Sequence, residues 1–220
     1  MYKTVLFDLD GTLLDTLTDL ADAGNRLCVK YGWPTHERAA YRYFVGNGIP
    51  KLVERIAPPQ DRTPETLAAA LADFKADYGA HMRDTTAPYP GIPELLDRLA
   101  QAGVRMAVFS NKADALAREV VADYFGPDRF VMVRGQRSGV APKPAPEGTR
   151  ALMAAIGADP GTTLYVGDSN VDVETAHNAG LACCGVLWGF RTREELSGAG
   201  AEYLAETSEQ LYHRIMGKQQ

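Results

Sequence analysis

The chain has 220 residues, of which 45% are hydrophobic and 23% charged, with a formal net charge of -5 and a pI near 5.4. That length and composition suit one α/β core carrying at most a modest second module, and they exclude disordered and fibrous classes. The acidic balance argues against nucleic-acid and anionic-membrane partners, both of which want a basic surface.

Cys28, Cys183 and Cys184 are the three cysteines. An odd count with no CxxC or Cys/His ligand spacing points to a reducing compartment, without structural disulfide or zinc. The start Met1-Tyr2-Lys3 leads directly into a short apolar run, with no signal-peptide pattern. Apolar runs all fall short of the roughly 20 residues of a membrane span. A cytoplasmic location is the expectation.

The first predicted strand is Thr4-Phe7, and it runs into Asp8-Leu9-Asp10-Gly11-Thr12. Two acids two residues apart at the carboxyl end of a buried strand sit where open α/β sheets hold ligands. Leaving both ionised is costly unless a cation neutralises them. Mg²⁺ suits such hard oxygen ligands. An Asx turn with a DG dipeptide reads the same five residues without any ligand.

From about Thr16 to Ala87 the strand signal fades and helical periodicity takes over. Leu17, Leu20, Gly24, Leu27, Cys28 and Tyr31 form one stripe; Leu67, Leu71, Phe74, Tyr78 and Met82 form another. Gly32-Trp33-Pro34 and Pro58-Pro59 punctuate the stretch. This reads as an inserted helical module over 16–87, with a core made of 1–15 and 88–220. Pro88-Tyr89-Pro90-Gly91 is its return hinge. Within the module, Phe44-Val45-Gly46-Asn47-Gly48-Ile49 is either a substrate-facing loop, with Gly46 and Asn47 toward a ligand, or an ordinary inter-helix turn.

After a helix bearing Ile92, Leu95, Leu96 and Leu99, further strands are expected at Arg105-Phe109, Phe130-Val133, Thr163-Val166 and Cys183-Leu187. The strand at 105–109 ends in Ser110-Asn111-Lys112, before a helix predicted from about Ala113. Ser110 and its neighbours either bind phosphate at that helix start or cap it. Three prolines surround Lys143 in Ala141-Pro142-Lys143-Pro144-Ala145-Pro146. A lysine so held can steady a phosphate or a carboxylate as a point charge, although a solvated loop lysine would look the same. The strand at 163–166 runs into Gly167-Asp168-Ser169-Asn170-Val171-Asp172, where Asp168 and Asp172 are either site acids or helix caps. Trp188 and Phe190 read either as packing or as residues near the active-site rim. The tail after Tyr212, ending in Lys218-Gln219-Gln220, is expected to fray.

Taken singly, each segment admits a capping explanation. Together, separate strand ends deliver Asp8, Asp10, Ser110, Lys143, Asp168 and Asp172 to one edge of one sheet. The order DxDGT, S-N-K, K-P and GDSxxD resembles the haloacid dehalogenase superfamily of phosphohydrolases over nearly the whole chain. Lys143-Pro144-Ala145-Pro146, Gly167-Asp168-Ser169 with Asp172, then Ala176, Ala179, Gly180 and Trp188-Gly189, are similar to its phosphoglycolate phosphatase-like branch.

The resemblance implies an α/β fold, a Rossmann-like parallel-sheet core with an inserted α-helical cap. It implies an Mg²⁺-dependent phosphoric monoester hydrolase acting on a small phosphorylated metabolite. Asp8 is then the nucleophile that forms an aspartyl-phosphate, and Asp10 the general acid and base. Asp8, Asp168 and the Asp10 carbonyl hold the metal, with Asp172 in support. Ser110 and Lys143 bind the transferring phosphoryl group, and Gly11, Thr12, Asn111, Gly46 and Asn47 complete the substrate contacts. Competing readings are a sugar phosphomutase of the same superfamily and a non-catalytic phospho-aspartate signalling module. A monomer or a homodimer is compatible with the sequence.

Overall fold

A computed structural model describes residues 1–217. The chain divides into two compact units, Met1–Leu14 with Pro88–Gln220, and Asp15–Ala87. The chain passes between them at two short strands, β2 (Leu14–Asp15) and β3 (Ala87–Pro88).

The first unit is a six-stranded parallel sheet. Its strands are β1 (Thr4–Phe7), β4 (Arg105–Ala113), β5 (Met132–Gln136), β6 (Thr163–Gly167), β7 (Ala182–Val186) and β8 (Tyr203–Ala205), in the spatial order β5-β4-β1-β6-β7-β8. Parallel neighbours require crossovers, and helices supply them: α5 (Ile92–Gln101), α6 (Asp114–Phe125), α7 (Pro146–Ile156), α8 (Asn170–Ala179) and α9 (Arg193–Gly198), with α10 (Ser208–Met216) closing the chain. Alternate residues of the strands, Leu6, Ala107, Phe109, Tyr165 and Cys183, pack with Leu152 and Met153 of α7, Val173 and Ala176 of α8 and Leu196 of α9. Elsewhere α5 packs against β4 and α10.

The connectivity places β1 at a topological switch. From β1 the path goes to β4 and outward to β5, then returns to β6 on the other side of β1. The carboxyl end of β1 therefore opens into the crevice where such sheets bind ligands, and Asp8 is the first residue beyond β1.

The predicted strands at 4–7, 163–166 and 183–187 are found within a residue of their expected ends. Two others differ. Where Phe130-Val133 was expected, β5 starts at Met132; Phe130 lies before it, its ring edge-on to Phe7 and Phe125 at centroid distances of 6.4 and 5.9 Å. The strand expected to end at Phe109 continues to Ala113 through a bulge: Phe109 pairs with Arg134 and Ala113 with Gln136, so four steps on β4 match two on β5. Ser110, Asn111 and Lys112 thus sit on a bulged strand, and α6 begins at Asp114. The end of the chain was expected to fray after Tyr212, yet α10 runs to Met216, anchored by buried Leu211 and Ile215. Lys218-Gln219-Gln220 lie outside the described residues.

The second unit is helical: α1 (Leu17–Tyr31), α2 (Arg38–Phe44), α3 (Ile49–Ile56) and α4 (Pro64–His81). Gly32, in the left-handed conformation, ends α1. The α4 stripe is buried at Ala70, Phe74 and Tyr78, while Leu67 and Leu71 are half-buried. Among the described residues, one acid lies deep inside the unit. Asp19 of α1 is 2% exposed, and its carboxylate accepts hydrogen bonds from the backbone N–H and the hydroxyl of both Thr85 and Thr86. The three cysteines are free and buried. Among the described residues, no helix is long and apolar enough to cross a membrane.

Candidate active site

The sheet brings Asp8, Asp168 and Asp172 together. Asp8 leaves β1, Asp168 leaves β6, and Asp172 sits in the first turn of α8. One carboxylate oxygen from each lies within 4.8 Å of the other two, and all three residues are buried.

Lys143 lies among them. Its Nζ is 2.7 Å from Asp172 Oδ1, 2.8 Å from Asp8 Oδ1 and 3.2 Å from the Tyr165 hydroxyl. The approach to Asp8 is an ion pair whose angle falls short of a hydrogen bond, so Asp8 Oδ1 is buried without a hydrogen-bond donor. Asn111 fixes the lysine's backbone from two sides. Its Oδ1 accepts from Lys143 N at 2.8 Å, and its Nδ2 donates to Lys143 O at 3.3 Å. The amide of Asn111, expected to meet substrate, is thus engaged in holding the lysine loop.

Asp172 is fully engaged. Its Oδ2 accepts from the Ser169 amide and hydroxyl in a capping box that starts α8, and its Oδ1 meets Lys143. Capping and a place in the site are alternatives in the sequence; in the structure Asp172 both closes the capping box and contacts Lys143. Asp168 accepts from the Thr12 hydroxyl at 3.2 Å and from the Phe190 amide at 2.8 Å. The hydroxyl of Thr12, expected to meet substrate, is turned to Asp168, and the Thr12 carbonyl accepts from Trp188 Nε1 at 3.0 Å.

The backbone must come very close to these acids. Gly11 has φ +90°, and a Cβ there would lie 2.4 Å from Asp168 Oδ2. A Cβ on Gly189 would lie 2.3 Å from the Asp168 Cβ. Of the two readings of Trp188 and Phe190, packing or the rim of the site, the contacts of 188–190 with Asp168 favour the second. A backbone donor at Phe190 leaves no trace in side-chain chemistry, although the Trp188-Gly189 pair in the family motif marks the place.

Burial first, and the charge of Asp172 second, push the Asp8 carboxyl up to about 7, against the opposing pull of Lys143. Asp168 is raised well above the usual carboxylate range by burial and by the charges of Asp172 and Asp8. Burial would lower the Lys143 ammonium, but the charges of Asp172 and Asp8 outweigh it and hold it well above the ordinary lysine value. Three buried carboxylates and one lysine leave an excess of negative charge. An all-oxygen, desolvated cluster with a hydrogen-bond-poor Asp8 Oδ1 fits a hard divalent cation.

Asp10 stands slightly apart. Its Oδ1 accepts from Lys112 Nζ at 3.1 Å. Ser110 is buried, and its hydroxyl oxygen accepts from the Lys112 amide at 3.2 Å within the β4 bulge. Lys112 was given no role in the sequence, where it looked like the residue before a helix. Gly46 and Asn47 belong to the helical unit, between α2 and α3, where Asn47 Oδ1 accepts from Arg55 at 2.8 Å.

Comparison with known proteins identifies the family. The model of the family described as haloacid dehalogenase-like hydrolase matches residues 5–186. A phosphoglycolate phosphatase of Pseudomonas putida is 35% identical over 192 residues, covering 86% of this chain and 70% of that protein. One from Vibrio parahaemolyticus is 31% identical over 95% of this chain and 94% of its own. A crystal structure assigned as a phosphoglycolate phosphatase from Lactobacillus delbrueckii subsp. bulgaricus superposes with a TM-score of 0.93 at 32% identity, covering 99% of both chains. The chain belongs to the haloacid dehalogenase-like hydrolases, in their phosphoglycolate phosphatase-like branch.

Proposed function

We propose that the protein is a phosphoric monoester hydrolase that cleaves phosphate from a small phosphorylated metabolite of the phosphoglycolate type, with Asp8 as nucleophile. The observation that carries this reading is the buried cluster of Asp8, Asp168 and Asp172 around Lys143, at the switch point of the sheet.

Asp8, Asp168 and the Asp10 carbonyl would hold Mg²⁺, which when bound supplies positive charge to the reacting phosphoryl group. An Asp8 carboxylate oxygen attacks phosphorus. The ester P–O bond breaks, and the leaving oxygen takes the proton of the Asp10 carboxyl. A water then gives a proton to Asp10 and attacks the same phosphorus, which releases inorganic phosphate and restores Asp8. Lys143 keeps the Asp8 carboxylate oriented and offsets charge on the phosphoryl oxygens, and Ser110 lies at the neighbouring strand end to receive them. Asp172 fixes Lys143. Gly46 and Asn47, between α2 and α3 of the helical unit, are the residues proposed to recognise the rest of the substrate.

The test is phosphate release across a panel of small phosphate esters, with Mg²⁺ or EDTA, for wild type and Asp8→Asn. Metal-dependent release that falls by about 10⁴-fold or more in the variant is expected. A folded wild type that releases no phosphate from any ester would sink the reading.

A further inference from the structure

Two lysines lie near the acids of the first motif, and the proposed mechanism uses only one. Lys143 serves Asp8. Lys112 meets Asp10, and its side chain is 3% exposed against 14% for Asp10. Burying an ammonium is costly unless it is paired, and a methionine would fill the same space without that cost. The β4 bulge is what delivers it. Two extra residues on β4 relative to β5 carry Lys112 past the regular sheet end, and the Ser110 hydroxyl pins its amide.

We propose that Lys112 is the positioning residue for the acid–base carboxyl of Asp10, a role that rests on the phosphatase reading above. By binding Oδ1, Lys112 leaves Oδ2 as the oxygen that carries the proton, and Oδ2 has no hydrogen-bond partner among the described residues. The ammonium also balances the carboxylate that remains once the leaving oxygen has taken the proton. Asp10 would otherwise add one more negative charge beside Asp8, Asp168 and Asp172. The two lysines thus divide the work: one aligns the nucleophile and the other aligns the proton donor.

Such a role depends on the leaving group. An alkoxide must be protonated as it departs, whereas p-nitrophenolate leaves unaided. The experiment compares kcat/KM of wild type, Lys112→Met and Lys112→Arg, in saturating Mg²⁺, on p-nitrophenyl phosphate and on an alkyl phosphate. Phosphoglycolate serves as the alkyl ester, or else the best alkyl ester of the panel. Lys112→Met is expected to lose about 100-fold on the alkyl ester and no more than about threefold on the aryl ester, with Lys112→Arg recovering most of the alkyl activity. Equal losses on both esters would mean that Lys112 grips the phosphoryl group or merely supports the fold, and would overturn the inference. Unchanged alkyl activity would overturn it too. Should Lys112→Met not fold, Lys112→Gln carries the same comparison: it removes the charge but keeps a polar end, and it must cost more on the alkyl ester than on the aryl one. A wild type inactive on every ester removes the phosphatase reading itself, and this role with it.

Discussion

Asp8 in the core and Asp19 in the helical unit are both buried acids, and their surroundings are opposite. Asp19 accepts from two backbone amides and two hydroxyls, all neutral donors from Thr85 and Thr86. Asp8 faces two other carboxylates and shares Lys143 with Asp172. A carboxylate ringed by neutral donors is at rest, its charge solvated by the protein. Carboxylates packed against one another hold a charge imbalance that only a cation or a proton relieves. Burial of an acid alone therefore says little about function, and the sign of its neighbours says much.

Stability measurements can break this contrast. The largest effect is expected at Asp19. Asp19→Ala removes the acceptor of four hydrogen bonds, two of them from the buried Thr86, and should destabilise the protein by about 3 kcal/mol. Chemical denaturation checks it, and a loss under about 1 kcal/mol would show that water replaces the carboxylate at little cost. The sign reverses at Asp8. Without metal, Asp8→Asn removes a repelled charge and should raise stability by roughly 1–2 kcal/mol near neutral pH, even as it abolishes turnover. A fall in melting temperature would contradict the charge-imbalance view.

The smallest and sharpest test is the pH dependence of that second difference. Asp8 has a carboxyl raised to about 7 in the fold. The folded state therefore binds more protons than the unfolded one between the ordinary carboxylate range and about 7. This contribution to stability is complete at low pH and is lost as pH rises through that window. The advantage of Asp8→Asn over metal-free wild type should thus be small at pH about 5 and widen by about 7.5. Adding Mg²⁺ should close the gap by stabilising wild type alone. A gap independent of both pH and metal would mean that Asp8 is not the strained acid.

The contrast also explains what the sequence reveals. Asp8, Asp168 and Asp172 are legible because each follows an apolar strand that a two-sided sheet demands, and Lys143 because prolines frame it. Asp19 is not legible. An acid in the first turn of a helix reads as a dipole partner, and its true partners lie 66 and 67 residues away. Lys112 is obscured because polar residues end the apolar run at Phe109 while the backbone stays in the sheet to Ala113. The β8 strand, Tyr203–Ala205, is too short to carry a pattern. What escapes is long-range pairing of polar groups and backbone donors such as Phe190, neither of which has a local signature.

The Asp19 tie joins the first helix of the inserted unit to its last residues, while in the core Tyr89 N donates to Leu13 O at 3.1 Å across the excursion. Each unit is thus stitched shut at its own end of the junction. To the sheet, more than seventy residues amount to one tight turn between Leu13 and Tyr89, since the entropy of closing that loop is met locally on both sides. Such a module is exchangeable: a change in its length would leave the register of the strands in the sheet as it is.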